Sequence, residues 1–185
     1  MHRSALFLAL ILGLVALFAL SGCWWFEGLF PSPSPSPSPS PSPSPLPANT
    51  DMDRKDFTLP LVGGGTLTLS SLKGKPVLLV FFSPNCPHCK EEVPALNAVY
   101  NKYKDTHDLV VLGAGYGSEA SIEYFVEQNR VQYPVVSFTD RAILEMYGVS
   151  YVPHNIFFNR EGNIVRTSVG SLSLSTLENY LAGIL

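Results

Sequence analysis

Val77-Leu78-Leu79-Val80-Phe81-Phe82-Ser83-Pro84-Asn85-Cys86-Pro87-His88-Cys89 is the stretch from which the fold is read. Its first six residues form an unbroken apolar run, the pattern of a strand buried on both faces. Pro87 suits the first position of a helix, where no amide hydrogen bond is lost. From Pro87 to Tyr103 the side chains of Val93, Leu96, Val99, Tyr100 and Tyr103 fall on one helical stripe. A central strand therefore runs into a helix, and Cys86 and Cys89 stand at the junction.

That junction has a specific chemistry. A helix N-terminus carries free amide hydrogens and a partial positive charge, and both stabilise a thiolate. A lowered thiol pKa makes Cys86 a nucleophile and a good leaving group near neutral pH. Cys89, one helical turn on, is within disulfide reach. Attack by Cys86 on a substrate disulfide gives a mixed disulfide that Cys89 resolves, and the reverse order oxidises a substrate dithiol. A structural zinc site needs four ligands, whereas this Cys pair supplies two. The histidines of the domain, His88, His107 and His154, lack zinc-finger spacing. The expectation is no metal and no cofactor beyond a redox-active Cys86–Cys89 disulfide.

Working outward, Asp56 to Leu61 and Thr66 to Leu69 are β-prone runs around Gly63-Gly64-Gly65, a hairpin. Ser70 to Lys75 reads as a turn. After the central helix come a strand from Leu109 to Leu112, a helix from Ser118 to Asn129 and an extended segment from Tyr133 to Phe138. Arg141 to Tyr147 is a short helix ended by Gly148. Asn155 to Asn159 and Ile164 to Val169 are strands joined by a hairpin turn, and Ser173 to Leu185 reads as the last helix. Strands interleaved with helices and closed by an antiparallel hairpin give an α/β domain, a central mixed β-sheet flanked by helices with an N-terminal β-hairpin.

The 185-residue chain holds more than that domain. Met1-His2-Arg3 followed by the apolar run Ala5 to Leu20 reads as a secretory signal over residues 1–22. Leu20-Ser21-Gly22-Cys23 resembles a bacterial lipobox, which implies that Cys23 is the lipidated first residue of the mature protein. An uncleaved anchor extended by Trp24, Trp25 and Phe26, or plain signal cleavage leaving a free cysteine, are the other readings. Pro and Ser alternate from Pro31 to Pro45, so residues 23–50 form a linker, extended as a polyproline II rod. Residues 51–185 remain for one ordinary domain. The net charge of −3 gives no case for nucleic acid, and three cysteines are too few for a disulfide scaffold.

Phe82-Ser83-Pro84-Asn85-Cys86-Pro87-His88-Cys89-Lys90 on a strand-to-helix junction resembles the thioredoxin superfamily. Pro94 matches the helix-kinking proline of that family, and Val152-Pro153 before a strand matches its cis-proline. Asp56-Phe57-Thr58-Leu59-Pro60 and Ser71-Leu72-Lys73-Gly74-Lys75-Pro76-Val77 look like the TlpA/ResA-like branch of membrane-tethered thiol–disulfide oxidoreductases. The resemblance covers roughly residues 53–185. It implies a thioredoxin-like fold and catalytic Cys86 and Cys89, with Pro87, His88, Val152, Pro153 and His154 as active-site neighbours. It further implies a lipoprotein outside the cytoplasm of a bacterium, membrane-bound through its lipid. Its partners would be exported protein thiols or disulfides and a membrane electron carrier of the CcdA/DsbD type. Glu92 aligns with the active-site glutamate of ResA-like proteins, which implies a proton acceptor for Cys89; a solvated helix glutamate beside Glu91 is the alternative.

Several residues depart from that pattern. Asn85 replaces the usual tryptophan, Val80 stands where thioredoxin carries a buried aspartate, and His154 stands where threonine is common. His154 either contacts the thiols or a substrate peptide, or is an inert strand residue. The scaffold and Glu92 point to a reductant, for example in cytochrome c maturation. Pro87-His88 and Val152 instead resemble DsbA, a disulfide-forming oxidant, because a histidine in that loop can stabilise the Cys86 thiolate. A peroxiredoxin-type peroxidase shares the Asp-Phe-Thr-Leu-Pro opening, but Leu79 occupies its motif's proline position. A Sco-like copper protein would need three residues between the thiols, where this chain has two.

Overall fold

The computed structural model describes residues 50–185. The signal segment, Cys23 and the Pro-Ser linker up to residue 49 lie outside the described residues.

The elements run α1 (Asp51–Arg54), β1 (Thr58–Pro60), β2 (Thr66–Thr68), a 3-10 turn (Leu69–Leu72), β3 (Val77–Phe82), α2 (Pro87–Tyr103), β4 (Val110–Tyr116), α3 (Glu119–Gln128), β5 (Val135–Phe138), α4 (Arg141–Tyr147), β6 (His154–Phe158), β7 (Ile164–Val169) and α5 (Leu174–Leu181). β1 and β2 pair antiparallel as the expected hairpin. The other five strands form one sheet in the order β5-β4-β3-β6-β7, with β3 at its centre. β3 runs parallel to β4 and antiparallel to β6, so the sheet is mixed. This is the thioredoxin-like α/β arrangement.

Each residue of β3 is buried, because the sheet is covered on both faces. Its side chains alternate between two cores. Leu78, Val80 and Phe82 pack with Val93, Leu96 and Val99 of α2, with Ile122 and Phe125 of α3, and with Leu177 and Leu181 of α5. Val77, Leu79 and Phe81 pack with Met52, Phe57 and Leu59 on the hairpin side and with Ile143 and Tyr147 of α4. The same alternation in β6 puts Asn155 and Phe157 on the α2 face and His154, Ile156 and Phe158 on the other.

Three elements differ from the sequence expectation. β4 continues past Leu112 to Tyr116, through Gly113 and Gly115. A Cβ at Gly115 would lie 2.6 Å from Ile122 Cδ1 and 2.9 Å from Phe82 Cζ, so the glycine admits α3 close to the sheet rather than ending the strand. The last helix stops at Leu181, before Gly183, and Ile184 folds back to bury its side chain. The four-residue α1 was not expected. Its start is fixed by Asp53, whose carboxylate accepts from both the amide and the hydroxyl of the buried Thr50.

Candidate active site

β3 ends at Phe82, and the chain turns through Ser83-Pro84-Asn85 to start α2. Cys86 is the N-cap of that helix, and its sulfur accepts the amide hydrogen of Cys89 at 3.2 Å. A thiolate at this place would thus be met by a backbone donor and by the positive end of a 17-residue helix. Pro87 follows at the first helical position, and Pro94 lies within the helix. Both cysteines are free thiols, Cys86 half-buried and Cys89 buried.

The Val152–Pro153 peptide bond is cis. The Cys86 thiol donates to the Val152 carbonyl oxygen at 3.5 Å, so the loop before β6 sits against the first cysteine. That loop also walls a groove of about 600 Å³ lined by Ser83, Tyr116, Arg141, Leu144, Tyr151 and Val152. Tyr151 is 75 % exposed at its rim. On the other side of the junction Pro84, Asn85, Lys90, Tyr124 and Phe125 line a second groove of about 420 Å³.

Glu92 lies one helical turn beyond Cys89 on the buried face of α2, only 1 % exposed, not on the solvated face beside Glu91. Its Oε1 accepts from the Leu172 amide at 2.8 Å and from Asn155 Nδ2 at 3.0 Å, while Oε2 has no hydrogen-bond partner. Burial pushes the Glu92 carboxyl up to about 7, against the pull of those two hydrogen bonds. Burial likewise pushes the Cys89 thiol up, and its contact with the Cys86 sulfur acts in the same sense. Tyr133, at the entry to β5, belongs to the same buried cluster. Burial and then the charges of Glu92 and Cys89 push its phenol up.

The structure brings Cys86, Cys89, Glu92, Val152 and Pro153 together. It does not bring His88 or His154 to the sulfurs by hydrogen bond. The His88 ring is exposed and pairs through Nδ1 with Glu91 Oε2 at 2.9 Å. His154 is buried on the sheet face opposite Asn155, its Nδ1 has no partner, and burial pulls its pKa down. Asn155 is the site residue that sequence reasoning missed. An amide at the head of the apolar run of β6 was the available signal, since buried polar groups are retained with partners. Among the described residues no group of three or more His, Cys, Asp or Glu side chains converges as a metal site would require.

Comparison with known proteins agrees with this geometry. The model of the AhpC/TSA family matches residues 52–167. The thiol-disulfide oxidoreductase ResA of Bacillus subtilis is 33% identical over 130 residues, which cover 70% of this chain and 72% of that protein. A secreted Mycobacterium tuberculosis disulfide oxidoreductase homologous to E. coli DsbE superposes with a TM-score of 0.63 at 25% identity, covering 71% of this chain and 98% of that one. The exposed lipoprotein thioredoxin of Streptococcus pneumoniae superposes with a TM-score of 0.63 at 29% identity, covering 69% and 98%.

Proposed function

The chain belongs to the AhpC/TSA family and is a thiol–disulfide oxidoreductase of the ResA/DsbE type, and from that premise we propose that it reduces disulfides of exported proteins through the Cys86-Pro87-His88-Cys89 centre. The observation that carries this reading is the unequal pair of thiols. Cys86 is partly exposed at a helix start beside the Val152 carbonyl, while Cys89 is buried above a buried acid.

The Cys86 thiolate attacks one sulfur of a substrate disulfide. A mixed disulfide forms, and the other substrate sulfur leaves as a thiolate that takes a proton from solvent. Cys89 then attacks the Cys86 sulfur. Burial holds the Cys89 thiol protonated, so the attack needs a proton acceptor. Glu92, with a carboxyl pushed up to about 7, takes that proton near neutral pH on Oε2 by way of one bridging water, since Oε2 makes no direct hydrogen bond to the Cys89 sulfur. The second substrate sulfur leaves as a thiolate that takes a proton from solvent, and the products are a substrate dithiol and a Cys86–Cys89 disulfide. A membrane carrier of the CcdA/DsbD type would return two electrons and two protons to the pair. The groove walled by Tyr151 and Val152 offers the substrate chain a surface beside Cys86.

The reducing direction is supported by His88. Its ring faces the Glu91 carboxylate, so it brings no uncompensated positive charge to the Cys86 thiolate, and the dithiol form gains little from it. Apocytochromes awaiting haem are one substrate class for such a reductant. The lipid on Cys23 and the Pro-Ser linker would hold the domain outside the cytoplasm.

The test is the reduction potential in defined redox buffers, with insulin-disulfide reduction as the activity. A value below about −250 mV supports a reductant, and one near −120 mV would make the protein a DsbA-like oxidant. Peroxide consumption with a thiol donor is measured alongside, and Cys86-dependent turnover there would favour the peroxidase reading instead.

A further inference from the structure

We propose that Asn155 is the positioning residue of the proton transfer: its amide ties down one oxygen of Glu92, so that the other is the atom that exchanges the Cys89 proton through a bridging water. This rests on the reading of Glu92 as the proton acceptor.

The two oxygens of Glu92 are unequal. Oε1 receives two N–H donors, from Asn155 Nδ2 and from the Leu172 amide. An oxygen already engaged by two donors has no lone pair free for a proton in the carboxyl plane, whereas Oε2 has both. The proton of the acid form therefore sits on Oε2. Without the amide, the carboxyl could turn about its terminal torsion, a soft, two-fold motion, and present either oxygen.

Asn155 is itself fixed. It is fully buried, on the α2 face of β6, two residues after cis-Pro153, in register with Val80 of β3. Its Nδ2 also reaches the Gly170 carbonyl at 3.4 Å, while the Gly170 amide donates to the Pro153 carbonyl at 2.8 Å. Both partners of Nδ2 are acceptors, which sets the orientation of the amide and leaves Oδ1 unpartnered. The same loop supplies the Leu172 amide. One asparagine thus joins the cis-proline loop, the β7–α5 loop and the acid beneath Cys89. Val80 offers no polar group on that face, so the acid's side-chain support comes from β6.

The titratable groups around Glu92 are few. On its own helix stands Cys89, and from the entry to β5 comes Tyr133; both are held in their neutral forms by burial. β6 and the β7–α5 loop contribute the neutral Asn155 and a backbone amide. The charged Arg166 of β7 lies over the Tyr180 ring instead. A donor lost from Asn155 is therefore not replaced by a nearby cation, and the ionised acid loses support.

The experiment measures the pH dependence of the exchange rate in four proteins: the unaltered chain, Asn155→Leu, Glu92→Gln and the double variant. Asn155→Leu keeps the branched heavy-atom shape and removes the donor. The expected result is a rise of the midpoint near pH 7 by about one unit in Asn155→Leu, with no further change when it is added to Glu92→Gln. An unmoved midpoint in Asn155→Leu, while Glu92→Gln abolishes the step, overturns the positioning role and leaves the acid's role standing. An unchanged profile in Glu92→Gln overturns the proton-acceptor reading beneath it. Should Asn155→Leu not fold, Asn155→Ala replaces it. It removes the donor without adding bulk or charge, so the midpoint must again rise, and a midpoint at the original pH overturns the proposal.

Discussion

The Cys86 thiol donates to the carbonyl oxygen of Val152 across 3.5 Å, which joins the start of α2 to the residue before the cis-proline. Cys86 is half-buried at this junction, whereas Cys89 belongs to the core. Cys89 is 3 % exposed and its pKa is pushed up by burial.

Alkylation should report that inequality directly. In the reduced protein at neutral pH, iodoacetamide should modify Cys86 first, with Cys89 slower by at least about 100-fold, since the thiolate is the reacting form. Peptide mass mapping over time gives the two rates. Equal rates would contradict the assignment of attacking and resolving thiols.

Glu92 makes stability depend on pH in a defined sense. Burial pushes its carboxyl up to about 7 in the fold, against an ordinary value of 4.5. The folded protein thus binds more protons than the unfolded chain between those pH values. Stability contributed by the acid form is full below about 4.5, falls as pH rises, and is gone above about 7, a loss of about 3 kcal/mol. Glu92→Gln should remove this slope from denaturant titrations across that range. A slope that persists in the variant would place its origin elsewhere.

The pair of His88 and Glu91 is exposed on both sides, so its influence on the redox centre is small. Glu91→Gln removes a negative charge near the helix start, which leaves the Cys86 thiolate better stabilised and the dithiol form favoured. The reduction potential should rise by about 10 mV, the size set by a surface ion pair. A fall in potential would show that His88 acts on the thiols in another way.

Gly115→Ala tests the packing of α3 on the sheet. The added methyl meets Ile122 and Phe82 inside van der Waals distance, and both side chains are buried. Overpacking of this kind should cost about 1–3 kcal/mol, read as a lower melting temperature with the reduction potential unchanged. An unaltered melting temperature would mean that α3 moves freely enough to absorb a methyl group.

Much of this architecture is legible in the chain because local and global signals agree. The apolar run Val77–Phe82, Pro87 at the first helical position and the stripe from Val93 to Tyr103 each point to one strand and one helix, and these elements form as read. Gly113 and Gly115 mislead because a glycine reads as a breaker, whereas here a Cβ at Gly113 would crowd Val135, Tyr133 and Phe82, and one at Gly115 would crowd Ile122 of α3. The helix over Asp51–Arg54 is too short for any apolar period, and only the Thr50–Asp53 pairing marks it. Asn155 carries only a general signal, a polar amide in a strand read as buried, which does not name its partner. Its role depends on facing Glu92 across a sequence separation of 63 residues, and no local pattern encodes that. The inward orientation of Glu92 next to the outward Glu91 is likewise set by packing, since both fit a helix surface.

The most direct test of two-thiol exchange is intact-mass analysis of Cys89→Ala and Cys86→Ala after mixing each with a disulfide-bonded substrate. Cys89→Ala should accumulate a stable adduct of one substrate chain on Cys86, released by dithiothreitol, and Cys86→Ala should form none. Normal turnover by Cys89→Ala, or an equal adduct on Cys86→Ala, would contradict the account.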